Sequence, residues 1–301
     1  MYSWKTRMAK TAATVLAGAL ALSGCGGGTG TTNAKGGPSV ADTITAQVAV
    51  VYHFFTETEF FTESEAVITG PDVNHIKNVL RMKPGEQILL SDGKGANCLC
   101  EITEIENSRV LARILPELVE DTELPVEVTL YQGLPKGDKM EFIIQKCVEL
   151  GVSRIVPVEM ARSVVKLDKK KEEAKRKRWQ GISESAAKQS KRMIVPEIGP
   201  VLSYKEAVAE AASMDLFLLP YEDSESLSGA GGMELTRSLI GGLKPGKKCA
   251  VLIGPEGGFS DGEVEAARNA GARTVTLGKR ILRTETAGLF VLSAVGLLLE
   301  D

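Results

Sequence analysis

Ala250-Val251-Leu252-Ile253-Gly254-Pro255-Glu256-Gly257-Gly258-Phe259-Ser260-Asp261-Gly262-Glu263 is the stretch on which the reading of this chain turns. Its apolar, β-rich start, bounded by glycine, predicts a buried strand. The glycines that follow let backbone amides approach a ligand closely. Ser260 and Glu263 have capping-box spacing, predicting a helix to about Ala270 that closes at Gly271. A second strand over Thr274–Leu277 and a turn at Gly278 come next. The polar run Arg280-Ile281-Leu282-Arg283-Thr284-Glu285-Thr286-Ala287 then leads into an apolar helix, Leu289–Leu299. Both loops thereby fall at strand C-termini, where open α/β sheets bind ligands. The first has neither the GxxxxGK[ST] nor the GxGxxG spacing, which argues against a P-loop or a dinucleotide site.

Upstream, strands over Val126–Leu134, Ile155–Val158 and Leu216–Tyr221 alternate with helices over Lys139–Leu150, Asp168–Lys191 and Tyr204–Ala212. Such alternation predicts a parallel sheet covered on both faces. Asp138 is a natural N-cap for the first of these helices. From Arg162 to Arg192 there are twelve basic and four acidic residues. Charge runs usually mark solvated helices, and Lys169–Lys171 reads as one. Ser224–Met233 is small and polar and reads as a surface loop.

Residues 51–120 read as a small β-rich domain, with strands at Ile88–Ser91, Cys98–Ile105 and Arg109–Leu115 and a capped helix over Asp72–Arg81. Pro116–Pro125, acidic and proline-bracketed, reads as the linker to a second domain over 125–301. Residues 1–50 read differently: Lys5, Arg7 and Lys10 precede a short apolar run, Leu22-Ser23-Gly24-Cys25 resembles a lipobox, and a Gly/Thr-rich tether follows. Net charge is -3 for the whole chain. Nucleic-acid binding would therefore need a local basic patch. Five cysteines without paired metal spacing predict reduced thiols and no metal site.

The segments Leu252–Ser260 and Leu277–Ala287 together closely resemble the RsmE family of the SPOUT superfamily, methyltransferases acting on N3 of a uridine in small-subunit (16S) ribosomal RNA. The resemblance runs from about Tyr52 to the C-terminus. It includes the segment from Lys136-Gly137-Asp138-Lys139 to Gly151, the segment Glu184–Arg192, and His75 with Arg81 in an H-x-x-x-V-L-R pattern. It implies a trefoil-knotted SPOUT methyltransferase domain, an N-terminal PUA-like RNA-binding domain, a cytoplasmic homodimer, and folded domains with no membrane partner. S-adenosyl-L-methionine would lie among Leu219, Ile253, Gly254, Pro255, Gly257, Gly258, Leu277, Gly278, Ile281, Leu282, Thr286 and Ala287. RNA would meet Arg81, Lys136, Lys139, Arg162, Lys188, Gln189 and Arg192. Arg283 and Glu285 are the candidates for chemistry, with Glu256 as rival base. The compartment of such an enzyme conflicts with a lipidated leader, so residues 1–50 are read as a mis-assigned start or a fusion. Three other readings remain: a SPOUT enzyme for another nucleotide, an idle RNA-binding module, and a surface lipoprotein.

Overall fold

A computed structural model of the chain describes residues 51–117, 119–221 and 232–300. The leader reading lies outside these residues, as does the loop reading up to residue 231, whereas Gly232 and Met233 open a helix. The described residues fall into two units.

The first unit ends at Val119 and excludes Asp92–Gly95, which group with the second. It holds a five-stranded sheet in the order β1 (Tyr52–Phe55), β3 (Gln87–Ser91), β4 (Asn97–Ile105), β5 (Arg109–Ile114), β2 (Glu65–Thr69). Alternating burial along β2 and β5 puts one face on a core that includes Phe54, Ile68, Ile88, Leu90 and Ile102. Cys98 and Cys100 share that buried face, their sulfurs 3.4 Å apart. The helix expected over Asp72–Arg81 is present as a short α-helix, α1 (Pro71–Asn74), that passes into a π-turn over His75–Val79, but it lacks the expected side-chain cap. His75 lies edge-on to Phe54, a packing role.

The second unit carries a parallel sheet in the order β12 (Arg273–Val275), β10 (Leu216–Pro220), β11 (Lys248–Ile253), β6 (Glu127–Gly133), β7 (Arg154–Glu159), β8 (Glu197–Ile198), with β9 (Leu202–Ser203) also on β7. Strands buried along nearly their whole length, such as β6 and β11, are what a sheet covered on both faces requires. The helices are α2 (Lys139–Glu149), α3 (Lys169–Gln189), α4 (Tyr204–Ala211), α5 (Gly232–Gly241), α6 (Asp261–Asn269) and α7 (Thr284–Leu299). Tyr131, Val156, Phe217, Leu219 and Leu252 are among the residues of one continuous core. β6 and β11 are neighbours, yet the chain leaves them in opposite directions, toward β7 and toward β12. Their C-terminal ends therefore flank a crevice of the kind where doubly wound sheets bind ligands.

The acidic segment after Pro116 is no loose tether at its C-terminal end. Glu123 pairs with the buried guanidinium of Arg192 and accepts the Met193 amide at 2.9 Å. Leu124 packs so closely on Gly151 that a Cβ there would sit 2.5 Å from Leu124 Cγ.

Candidate active site at the strand C-termini

Gly133 ends β6 where a Cβ would lie 2.7 Å from both the Cδ and the backbone nitrogen of Pro255. Only glycine admits the following loop so near the strand. The loop turns on Gly258 (φ +68°), whose amide donates to the Pro255 carbonyl at 2.9 Å. Ser260 and Glu263 form the expected capping box. Glu263 also reaches the Ala161 amide at 2.8 Å, joining the end of β7 to the glycine loop.

Buried hydrogen bonds tie this loop to the start of α7. The Thr284 hydroxyl donates to the Gly254 carbonyl at 2.6 Å, and Gln132 Nε2 donates to Thr284 Oγ1 at 2.8 Å. Gln132 belongs to β6, is fully buried, and steps directly beside Ile253 in the sheet. Nothing in the local sequence around Gln132 or Thr284 signals this link.

Around it opens a cavity of about 550 Å³. Ile253, Leu277, Leu282 and Val275 give it apolar walls, with Pro220, Tyr221 and Phe259 beside them. The Tyr221 and Phe259 rings meet edge-on, centroids 6.3 Å apart. Ile281 stands 86% exposed at the rim, although it is a large apolar side chain. Charged side chains line the same cavity. Lys139 Nζ, at the start of α2, sits 3.0 Å from Glu256 Oε1 and 3.3 Å from Glu285 Oε2. The bond to Glu256, helped by Glu285, holds the Lys139 ammonium above its usual range against the opposing effect of burial. Partial burial pushes the Glu256 carboxyl up, but its own amide, Lys139 and the Lys136 amide at 3.1 Å outweigh that and leave it below the usual carboxylate range. Arg162 donates to the Gly257 carbonyl at 3.1 Å, and Arg280 and Arg283 complete the rim.

Residues 122–296 match the family model for an RNA methyltransferase domain, and residues 68–115 match that for an RNA methyltransferase PUA domain. The chain is 41% identical over 228 residues to the Ribosomal RNA small subunit methyltransferase E of Bacillus subtilis, covering 76% of this chain and 88% of that one. This chain belongs to that family. The methyltransferase E of Mycobacterium bovis is 32% identical over 252 residues, covering 81% of this chain and 91% of that one. A crystal structure of the Neisseria gonorrhoeae methyltransferase E bound to S-adenosyl methionine superposes with a TM-score of 0.68 at 35% identity, covering 82% and 98% of the two chains.

Of the cofactor positions that the methyltransferase E resemblance implies, Ile253, Gly254, Pro255, Gly258, Leu277, Ile281, Leu282 and Ala287 line the cavity. Leu219 does not: its side chain is fully buried in the core. Gly257 abuts Arg162, and Gly278 (φ +115°) turns the chain after Leu277. Thr286 is exposed on the first turn of α7 and lines no part of the cavity. The strand expected to reach Leu277 ends at Val275, which frees Leu277 to face the pocket. Helix α7 starts at Thr284, five residues before the expected apolar helix, because acidic residues such as Glu285 suit a helix N-terminus.

The RNA positions scatter. Lys139 and Arg162 line the same cavity as the candidate catalytic residues, and Lys139 is held by two carboxylates there. Arg192 is corrected outright, being 2% exposed, paired with Glu123 and donating to the Val148 carbonyl at 3.1 Å. Buried this way, it meets no phosphate. Lys188 pairs with Glu184 at 3.2 Å, and Gln189 ends α3 beside a groove against α2. Arg81 is exposed in the first unit with left-handed backbone, φ 55°. Asp138 is the N-cap of α2 through its carbonyl, which accepts the Glu141 amide at 3.0 Å, its side chain making no cap bond. Phe259, Pro220, Tyr221, Val275 and Gln132 are contributors that the sequence reading missed. Only Tyr221, at a predicted strand end, carried a signal.

Proposed function

We propose that this chain transfers a methyl group from S-adenosylmethionine to N3 of a uridine in small-subunit ribosomal RNA. One observation carries the reading: the chain shares the fold of a family member solved with S-adenosyl methionine bound, and its strand C-termini hold a cavity lined by apolar, acidic and basic groups together. The cavity of about 550 Å³ falls within the roughly 300–1,000 Å³ of small-molecule sites. Leu277, Ile281, Leu282 and Val275 suit a purine ring, the glycine-loop backbone suits polar edges, and the carboxylates suit a cationic ligand. When bound, S-adenosylmethionine supplies an electrophilic methyl carbon.

The residues of this chain then have separable tasks. Both Glu256 oxygens are engaged by Lys136 and Lys139, so this group fixes the loop. Among the described residues, Glu285 Oε2 makes no hydrogen bond and has only the Lys139 ammonium at ion-pair distance. It is the carboxylate placed to accept the N3 proton. Lys139 limits the repulsion between the two acids, and Arg283 on the rim stabilises negative charge on the uracil as the proton leaves. Orientation supplies much of the acceleration.

The test is single-turnover methylation of small ribosomal subunits lacking this modification, with nucleosides identified by mass. We expect 3-methyluridine from the wild type and a much larger rate loss for Glu285→Gln than for Glu256→Gln at saturating cofactor. The reverse order would make Glu256 the base, and a different methylated nucleoside would overturn the substrate.

We further place the enzyme in the cytoplasm as a homodimer. Among the described residues no helix is long and apolar enough to cross a membrane. The supporting feature for self-association is apolar exposure on helices α2 and α7: Phe142 is 46% exposed and Leu297 85%.

A further inference from the structure

Helix α3 buries only Trp179, Ser183, Ala186 and Ala187 of its 21 residues. It carries eight basic and three acidic residues, a charge of +5, in a chain whose net charge is -3. Lys169, Lys170, Arg176 and Lys177 are exposed and carry no ion pair among the described residues. Lys175 lies over the Trp179 ring, 5.6 Å from its centre.

Folding alone does not account for this placement. Three lysines crowd the first turn, where the helix dipole disfavours cations. The first turn of α3 holds an acid, Glu172, as those of α4, α6 and α7 do, but only in α3 does a lysine run accompany it. Asp168 caps the turn through the Lys171 amide at 2.9 Å, offsetting part of the conflict. Gly181 is a second anomaly. It sits mid-helix, where glycine weakens the helix, yet a Cβ there would meet nothing within 4 Å. It instead lines a groove of about 620 Å³ with Arg178, Ser185 and Gln189 from α3 and Gln145, Lys146 and Glu149 from α2, where Lys146 neutralises Glu149 at 2.8 Å.

We infer that the exposed face of α3 from Lys170 to Gln189, with this groove, is a docking track for the ribose-phosphate backbone of substrate RNA outside the methylated nucleotide. The inference rests on the rRNA reading above. Lys170 and Lys177 stand about 10 Å apart along the helix at 1.5 Å per residue, and point cations at that spacing bind phosphates without reading bases. Gln145, Ser185 and Gln189 offer neutral hydrogen-bonding groups suited to ribose hydroxyls in the groove.

The test uses the full chain, a small-subunit rRNA transcript and assembled subunits. Lys170→Glu/Lys177→Glu should weaken transcript binding at least about tenfold at low salt. It should also flatten the slope of log K against log[salt] by about one per lysine. Gly181→Leu should weaken binding with the thermal midpoint preserved or raised. Affinity for S-adenosylmethionine alone should hold in both variants, which separates loss of the track from loss of the fold. Lys244→Glu, exposed elsewhere in the unit, should change binding and slope far less. Wild-type affinity and slope in the double variant, alongside active wild-type enzyme, would sink the track while sparing the rRNA reading. Loss confined to assembled subunits, with transcript binding intact, would assign the face to a ribosomal protein and also overturn it. A wild type that neither binds nor methylates rRNA would take the functional reading down first.

Discussion

Thr284 shows how much one side chain holds at this site. Its hydroxyl both accepts from Gln132 and donates to Gly254, so one oxygen joins β6, the glycine loop and α7. Thr284→Val keeps the shape, takes the Gly254 carbonyl's hydroxyl donor away and leaves Gln132 Nε2 with the Gly133 carbonyl at 3.0 Å as its remaining acceptor. We expect a loss of about 1–3 kcal/mol in urea unfolding, with a larger proportional loss in cofactor affinity by calorimetry. Lys139 carries a pH signature. Glu256 is depressed from its ordinary 4.5, so its contribution to stability is present above that value and lost as pH falls through the folded pKa. Lys139 is raised from 10.5, so its contribution is present below that value and lost as pH rises through the folded pKa. In Lys139→Met the fall of Tm on acidification below about pH 4.5 should be shallower than in wild type. An unchanged acid limb would mean that the pair adds nothing to folding. Glycines, acids and arginines at this site were legible because each is costly or unusual where it stands. Arg192 was misread because a surface-looking basic motif says nothing of the acid that buries it from another segment.

Among the elements, α3 opposes its own stability. Each first-turn lysine faces the positive end of the helix, a conflict worth about 0.3–1 kcal/mol at an exposed site. Lys170→Glu should therefore raise Tm by about 1–3 °C in scanning calorimetry while weakening RNA. A fall in both would reveal an unrecognised structural contact. The expected helices over Asp168–Lys191, Tyr204–Ala212 and Ser260–Ala270 are close to the observed spans because caps and apolar spacing are local properties. The π-turn after Asn74 and the early start of α7 were not legible. Polar residues at a helix start resemble a loop until the dipole and the packed neighbours are known.

For the molecule as a whole, the homodimer we propose rests on the exposed apolar residues of α2 and α7. Leu297→Asp should shift the mass in light scattering toward the monomer with little change in monomer stability, since the side chain is 85% exposed. A dimer undisturbed by this change would place the interface elsewhere. The sequence by itself determined the parallel α/β class, the two loops at strand ends, and the methyltransferase E family, because strand runs, caps and glycine turns act over a few residues. Tertiary structure alone decided which side chains meet. Gln132 and Thr284 are 152 residues apart, and Lys139 reaches Glu256 and Glu285 from a separate helix. Those meetings depend on β11 lying beside β6 in the sheet, an order set by the packing of the whole core rather than by any local stretch.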